Sequence, residues 1–270
     1  MRHQTTKKTL VQTNTRYGNM LYIEDDPTIG RSLELYGEYC HLEVEAIKSL
    51  VTQDSWFVDV GANIGVHTVG VAPYVNRVIA FEPDQDNFDV LVKNCSMCAC
   101  DNVTTTRLAV SDCMGDTGTV FDYGKTTLTS GSDVKTAPLD MLGLPQIDFV
   151  KIDVEGMELQ VLYGMRGTLA EKKPHLLIEM QDQTTYASTF DFLKSYGYYI
   201  YWMPVSTFNT NNNKNNQVNV FGNQHGVINW LCSASQLNTT LQAVVDRDDT
   251  VERMVWRRSR NVGNDTTNGG

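Results

Sequence analysis

Positive charge is scarce in this sequence. Lysine and arginine number 22 against 32 aspartates and glutamates in 270 residues, a formal net charge of −10. Affinity for a phosphate backbone comes largely from Lys and Arg releasing counterions, so no nucleic-acid partner is expected. Long apolar runs are missing too: nothing is long enough to span a bilayer, and the opening residues, Met1 to Arg16, are polar with no apolar h-region. No signal peptide, no membrane partner and a cytoplasmic location are therefore expected. Cysteines are few, six in all, and suit reduced thiols. Cys95, Cys98 and Cys100 cluster, with Cys113 a little further on, at a spacing that could hold zinc. Cys95, however, recurs with Phe88, Leu91 and Val92 at helical spacing, as a small core residue does, so no metal is predicted. What remains, 41% hydrophobic residues with mixed charge, describes a globular chain with enough length for one full core.

The stretch with most to say is Phe57-Val58-Asp59-Val60-Gly61-Ala62-Asn63-Ile64-Gly65. Val58 and Val60 favour a buried strand, Gly61 and Gly65 break it, and an apolar run follows up to Pro73, so the order is strand, glycine turn, helix. Gly61 and Gly65 permit unusual dihedrals and a close approach of ligand to backbone. Unpaired N–H groups at the helix start are expected to face that ligand. Dinucleotide binders want G-x-G-x-x-G; here Asn63 stands where the second glycine belongs, and the match is poor. About 20 residues on, Val78-Ile79-Ala80-Phe81-Glu82-Pro83 ends a second apolar run in an acid, which suits ribose hydroxyls.

A third segment, Ile147-Asp148-Phe149-Val150-Lys151-Ile152-Asp153-Val154-Glu155-Gly156, ends another apolar strand in charged groups, ahead of a helix with Met157, Val161, Leu162 and Met165 on one face. With it, four motifs stand in order: Val58 to Gly65, Phe81-Glu82-Pro83, Leu139-Asp140 and Asp148 to Gly156. On these the sequence, roughly from residue 36 to 205, resembles the FkbM family of S-adenosylmethionine-dependent methyltransferases. The resemblance implies a class I, Rossmann-like α/β fold: a doubly wound, mostly parallel seven-stranded sheet with helices on both faces. It implies S-adenosyl-L-methionine as cofactor and O-methylation, often of a sugar or sugar-bearing small molecule. It also puts the adenine pocket at Ala109, Val110 and Ser111. Residues 1–52 then form an N-terminal hairpin and lead-in helix, 53–256 the methyltransferase domain, and 257–270 a disordered tail.

In chain order, Thr9 to Gln12 and Met20 to Ile23 read as a hairpin turning at Tyr17-Gly18-Asn19. Tyr36-Gly37-Glu38-Tyr39 leads into a helix with Val44, Ile47, Leu50 and Val51 inward; such a lead-in can fold over the cofactor or simply pack. Asp84 or Asp86 can cap the helix beginning near Asn87. Val103 to Leu108 is the third strand, Gly115 to Gly131 an inserted hairpin, and Pro174 to Glu179 a further strand ending in an acid. Phe190, Leu193 and Gly197 mark a helix and its stop; Tyr198 to Trp202 and Val227 to Leu231 pair as strands. The asparagine-rich run from 209 to 216 reads as a surface loop too polar to pack.

Four strands thus end in acids that should line one crevice. Predicted cofactor contacts are Asp59, Gly61, Ala62, Asn63, Gly65, His67, Glu82, Pro83, Ala109, Val110, Ser111 and Asp153, with Glu82 holding the ribose diol. Methyl transfer needs the acceptor in line behind the methyl group, and an alcohol gains from a positioned base. Asp153 and Glu155 are candidate bases, since residues two apart in a strand share a side and neighbouring carboxylates raise each other's pKa. Lys151 lies on that side and can keep one ionised. The bland alternative is a buried ion network fixing the strand end. Tyr198, Tyr199, Tyr201 and Trp202 offer a sugar-stacking face or, more simply, alternate between core and surface. An RNA 2′-O-methyltransferase and a non-catalytic cofactor-binding domain are the competing functions.

Overall fold

The computed structural model describes residues 8–122, 125–180, 183–222 and 226–249. The expected tail from residue 257 lies outside them. The elements in chain order are β1 (Leu10–Thr15), β2 (Gly18–Ile23), α1 (Ile29–Tyr36), α2 (His41–Lys48), β3 (Trp56–Val60), α3 (Val66–Val71), β4 (Arg77–Phe81), α4 (Gln85–Met97), β5 (Val103–Thr106), β6 (Ala109–Val110), β7 (Gly115–Asp122), β8 (Lys125–Ala137), β9 (Phe149–Ile152), α5 (Glu158–Tyr163), α6 (Arg166–Glu171), β10 (His175–Glu179), α7 (Tyr186–Ser195), β11 (Tyr199–Ser206) and β12 (Gly226–Ser233).

Seven strands form one sheet in the order β11-β12-β10-β9-β3-β4-β5. From β10 to β5 the pairs are parallel, and β12 runs antiparallel to both neighbours. This is the doubly wound, mostly parallel sheet that the motifs imply. The alternation along each central strand explains why helices cover both faces. Val58, Val60, Val150, Ile152, Leu176 and Ile178 pack against Val161, Leu162 and Leu169 of α5 and α6. The alternate residues Phe57, Val78, Phe149 and Leu177 pack against Val44 and Ile47 of α2. Each such side chain taken fully out of water contributes about 1.5–3 kcal/mol.

Capping sets the helix boundaries. Asp84, not Asp86, caps α4, its Oδ1 accepting the Asn87 N–H at 3.0 Å. The apolar face expected from Met157 to Met165 is buried at Val161, Leu162 and Met165, with Met157 part-exposed, and it is split between α5 and α6 at Gly164. A Cβ on Gly164 would lie 1.9 Å from the Ser111 carbonyl oxygen, so the chain breaks there to let β6 pass. Asp140 then caps α6, accepting the Gly167 and Thr168 N–H groups at 2.7 and 2.9 Å. The N-terminal hairpin is present as β1 and β2, while α1, which ends on the left-handed Gly37, is a helix that no sequence signal announced.

Two expectations need correction. Asn209 to Asn216 is a loop, but it packs: Asn212 is 2% exposed, and its amide donates to the Asn209 and Asn216 carbonyls. The loop is bolted to the lead-in because Glu38, buried, accepts from Arg16, the Asn209 amide and the Asn213 N–H. Amide side chains satisfied by backbone and by one another can be buried where the same amides facing no partner could not. Of the two readings offered for the aromatic segment, the sugar-stacking face is the one that fails and the simpler one, core and surface along a strand, holds. Tyr198, Tyr201 and Trp202 are core residues and, of the four, Tyr199 alone is exposed, so no stacking platform forms. On α4, likewise, Cys95 and Leu91 point inward but Val92 is exposed.

Candidate active site

The glycine turn sits where β3, β4 and β9 end together. Gly61 (φ +83°), Asn63 (φ +50°) and Gly65 (φ +89°) all take left-handed conformations. A Cβ on Gly61 would lie 1.8 Å from the Asp153 carbonyl oxygen, so the turn and the segment following β9 are in direct contact through a position only glycine can fill. All five turn N–H groups have partners within the protein. Gly61 and Ala62 donate to the Phe81 carbonyl, Gly65 to that of Ala62, Asn63 to Glu82 at 2.8 Å and Ile64 to the Asn63 side chain. These five groups are thus engaged within the protein, whereas the donors expected to face a ligand are those of the helix start, in the first turn of α3.

Glu82, 2% exposed, spans this structure: Oε2 takes the Asn63 N–H and Oε1 the Asp84 N–H at 2.9 Å. Burial pushes its carboxyl up to about 7, against the pull of the two backbone donors. Pro83 is held through its carbonyl by Arg107 at 3.1 Å, which ties the end of β4 to the chain entering β6. Ala109, Val110 and Ser111 are buried there.

A line of charge crosses the face of the sheet under α2 and α3. Asp59 on β3 lies opposite Lys151 on β9, and the Lys151 ammonium is 2.9 Å from Asp153 Oδ2. Thr68 of α3 donates to Asp59 Oδ2 at 2.6 Å, whereas Asp59 Oδ1 is buried without a hydrogen-bond partner. Burial pulls the Lys151 pKa down, but Asp153, Asp59 and Glu43 together more than offset it and hold the ammonium above its usual range. Asp153 retains 30% of its side-chain surface. Burial opposes its ionisation, and the Lys151 charge with a hydrogen bond from Glu179 wins, so the carboxyl lies below the usual range. Of the two carboxylates, Asp153 is the one that Lys151 keeps ionised, as the lysine was expected to do for one of them.

Glu155 joins the group by a different route from the one its spacing suggested. β9 ends at Ile152, and Glu155 takes φ +53° with Gly156 at +95°. The buried Glu158 accepts the Gly156 N–H at 3.0 Å and shapes this turn. Carboxylate oxygens of Asp153, Glu155 and Glu179 consequently lie within 4.8 Å of one another. His67 is elsewhere in the arrangement: 6% exposed, its Nε2 is 2.8 Å from Glu43 Oε2 on α2. Glu43 Oε1 accepts from the Asn229 amide at 3.0 Å. Tyr39, with its ring edge-on to His67 at 6.4 Å, has a hydroxyl pKa raised well above normal by burial, then by Cys40, Glu179, Asp153 and Glu43. The lead-in thus folds over this end of the sheet.

Glu43, Thr68, Glu158 and Asn229 are site residues that sequence reasoning missed. A charged residue on the inward face of α2, next to Val44, was the available signal for Glu43. His175 and Asp148 lie at the opposite ends of their strands. Asp148 accepts the Trp56 N–H at 2.7 Å and fastens two strand starts.

Residues 59–200 match the model of the methyltransferase FkbM domain, just over half of the chain. The chain belongs to the FkbM family of S-adenosylmethionine-dependent methyltransferases. A hexuronic acid methyltransferase from Haloferax volcanii is 35% identical over 127 residues, covering 43% of this chain and 52% of that protein. The FkbM methyltransferase of Methylobacillus flagellatus superposes with a TM-score of 0.52 at 21% identity, over 73% of this chain and 48% of that one. Precorrin-6y C5,15-methyltransferase from Geobacter metallireducens gives 0.53 at 17% identity, over 79% and 97%. The FkbM chain thus spans about half the length of the first two relatives, and the two structures share its fold.

The residues present fit the family's cofactor. S-adenosylmethionine carries a sulfonium and an ammonium and has no phosphate. Acids at or just past the ends of β4, β9 and β10, together with Asp59 near the end of β3, which keeps one buried oxygen without a hydrogen-bond partner, suit a cationic nucleoside.

Proposed function

We propose that this FkbM methyltransferase methylates a hydroxyl of a sugar or glycosylated molecule. The observation that carries the reading is the buried Lys151–Asp153 pair, set where the Asp153 backbone touches the Gly61 turn, so that a charged, part-exposed carboxylate adjoins the cofactor turn. The hexuronic acid methyltransferase among its relatives supports a glycan acceptor.

When bound, the cofactor supplies a methyl group made electrophilic by its sulfonium. Glu82 receives the ribose hydroxyls; Asp59, Gly61, Ala62, Asn63, Gly65 and Pro83 line the turn around the methionyl and ribosyl parts; Ala109, Val110 and Ser111 wall the purine. Lys151 keeps Asp153 ionised, and Asp153 accepts the hydrogen bond of the acceptor hydroxyl and so aligns its oxygen. Most of the rate comes from that alignment. A carboxylate held this far below the usual range is a weak base, so Glu155, on the open side, takes the proton as the carbon–oxygen bond forms. The six free thiols suit a reducing location such as the cytoplasm.

The test is methyl transfer from labelled cofactor to a panel of glycans, uronic acids and an RNA oligonucleotide. Label in a uronic acid or neutral sugar, lost in E155Q, is the expected result. Label in RNA alone, or turnover untouched by E155Q, would discard the acceptor class or the base.

A further inference from the structure

The segment that leaves β9 is pinned at its start and strained two residues later. The Asp153 N–H donates to the Val60 carbonyl at 3.0 Å, and the Asp153 carbonyl oxygen occupies the space a Cβ on Gly61 would need. Glu155 then stands at φ +53° and Gly156 at +95°. Left-handed backbone suits glycine, but a residue with a Cβ keeps it only where its surroundings hold it there. Packing around the turn does not do this, since a Cβ on Gly156 would meet nothing within 4 Å. The hold comes from Glu158, the first residue of α5, which is 5% exposed. Its Oε1 accepts the Gly156 N–H at 3.0 Å and the Val154 N–H at 3.4 Å. One carboxylate oxygen therefore clasps the backbone on both sides of the strained residue. The Glu155 carboxylate is thereby delivered to within 4.8 Å of those of Asp153 and Glu179.

We propose that Glu158 is a positioning residue for methyl transfer: by clasping the chain on either side of Glu155 it fixes that carboxylate on the acceptor side of the crevice. The clasp itself is a statement about backbone; its bearing on turnover rests on the reading of Glu155 as base. Glu158 is buried whereas Glu155 is part-exposed, so Glu158 acts through the turn and not on the acceptor. What the clasp requires is an acceptor oxygen at the reach of a glutamate side chain. Glutamine retains such an oxygen, aspartate retains the charge but falls one methylene short, and alanine retains neither. These three substitutions separate reach from charge.

Amide exchange followed by NMR on the full chain needs no acceptor. In E158A and E158D the Gly156 amide should exchange with solvent at least about tenfold faster than in wild type, and in E158Q within about threefold of it. The Gly61 and Ala62 amides, bonded to the Phe81 carbonyl, are the internal reference and should not change. Gly156 exchange in E158A equal to wild type would overturn the clasp whether or not an acceptor is found. Kinetics with whichever acceptor the glycan panel yields should show kcat down about 30-fold in E158A, with acceptor KM and adenosylhomocysteine affinity within about twofold of wild type, and most of the loss recovered in E158Q. The double variant E155Q/E158A should be no slower than E155Q, because both changes remove the same function. A further loss in the double variant, or a fall in kcat accompanied by equal losses of stability and cofactor affinity, would assign Glu158 to the fold and overturn the positioning role. Turnover untouched by E155Q would remove the base, and with it the catalytic half of the proposal, while the exchange result still decides the clasp. Should E158A not fold, the contrast between E158D and E158Q decides in its place.

Discussion

The two halves of the crevice are built on different principles. On the side of β3 and β4 the backbone holds the site: five consecutive turn N–H groups are bonded, three of them to Phe81 and Glu82 at the end of β4, and Gly61 makes an approach that no side chain allows. On the side of β9, β10 and β12 the task falls to side chains from five elements, held by charge around one buried lysine. The first half is rigid because hydrogen bonds close it locally. Both halves carry groups whose charge depends on their surroundings: Glu82, raised to about 7 by burial, in the first, and the Lys151–Asp153 pair in the second.

Substitutions at two glycines separate the halves most sharply. G61A places a Cβ 1.8 Å from a backbone oxygen at φ +83°; it should destabilise the fold by roughly 3 kcal/mol or more and lower adenosylhomocysteine affinity at least about 100-fold, read by denaturation and calorimetry. Gly156 is equally left-handed at φ +95°, but a Cβ added there would meet nothing within 4 Å, and G156A should cost only about 1 kcal/mol. Equal losses at the two sites would show that conformation, not the contact with Asp153, makes Gly61 necessary.

Next in size is K151M. It leaves Asp59, Asp153 and Glu43 facing one another without their cation, a loss of about 3–5 kcal/mol. The sign with pH follows from Asp153: its folded carboxyl lies below the unfolded value, so its stabilisation is present above the usual carboxylate range and is lost as pH falls through the lower folded value. In K151M that acid loss should begin at higher pH. An unchanged acid midpoint in a urea series would mean the lysine does not hold Asp153 ionised.

E82Q tests the backbone half by a smaller effect. Glu82 ionises near pH 7, and ribose hydroxyls are better received by the carboxylate, so wild-type cofactor affinity should rise as pH increases through 7. The glutamine variant should bind about tenfold or more weakly at pH 8 and show no such rise. The linked stability runs the other way: a folded pKa raised above the unfolded one gives stability below the usual carboxylate range that is lost as pH climbs through 7. Smallest is N212A, which removes two buried amide bonds in the asparagine loop and should cost about 1–2 kcal/mol while leaving cofactor affinity unchanged.

The backbone half was the legible one. A strand, two glycines at the right interval and an acid after the next strand are local signals, and their chemistry is carried by neighbours in sequence. The acceptor half was legible only in part. Lys151 and Asp153 were paired because they stand two apart along one extended segment, with the lysine expected to keep one acid ionised; that this acid is Asp153 depends on Ångström distances. Glu43, His67 and Asn229 could not be grouped at all: they come from α2, α3 and β12, and no period in the chain links residue 43 to residue 229. The asparagine run misled for a related reason, because amides read as solvent-seeking until a buried Glu38 is there to receive them.

The order of apolar runs, glycines and strand-end acids pointed to a nucleoside turn and a crevice at the strand ends, and the resemblance of four motifs to the FkbM family implied the doubly wound sheet. Tertiary structure decided that Lys151 holds Asp153 ionised, that His67 lies against Glu43, and that Asn212 is buried within a polar loop. Those are matters of desolvation and charge at close range, and both depend on distances between segments far apart in sequence.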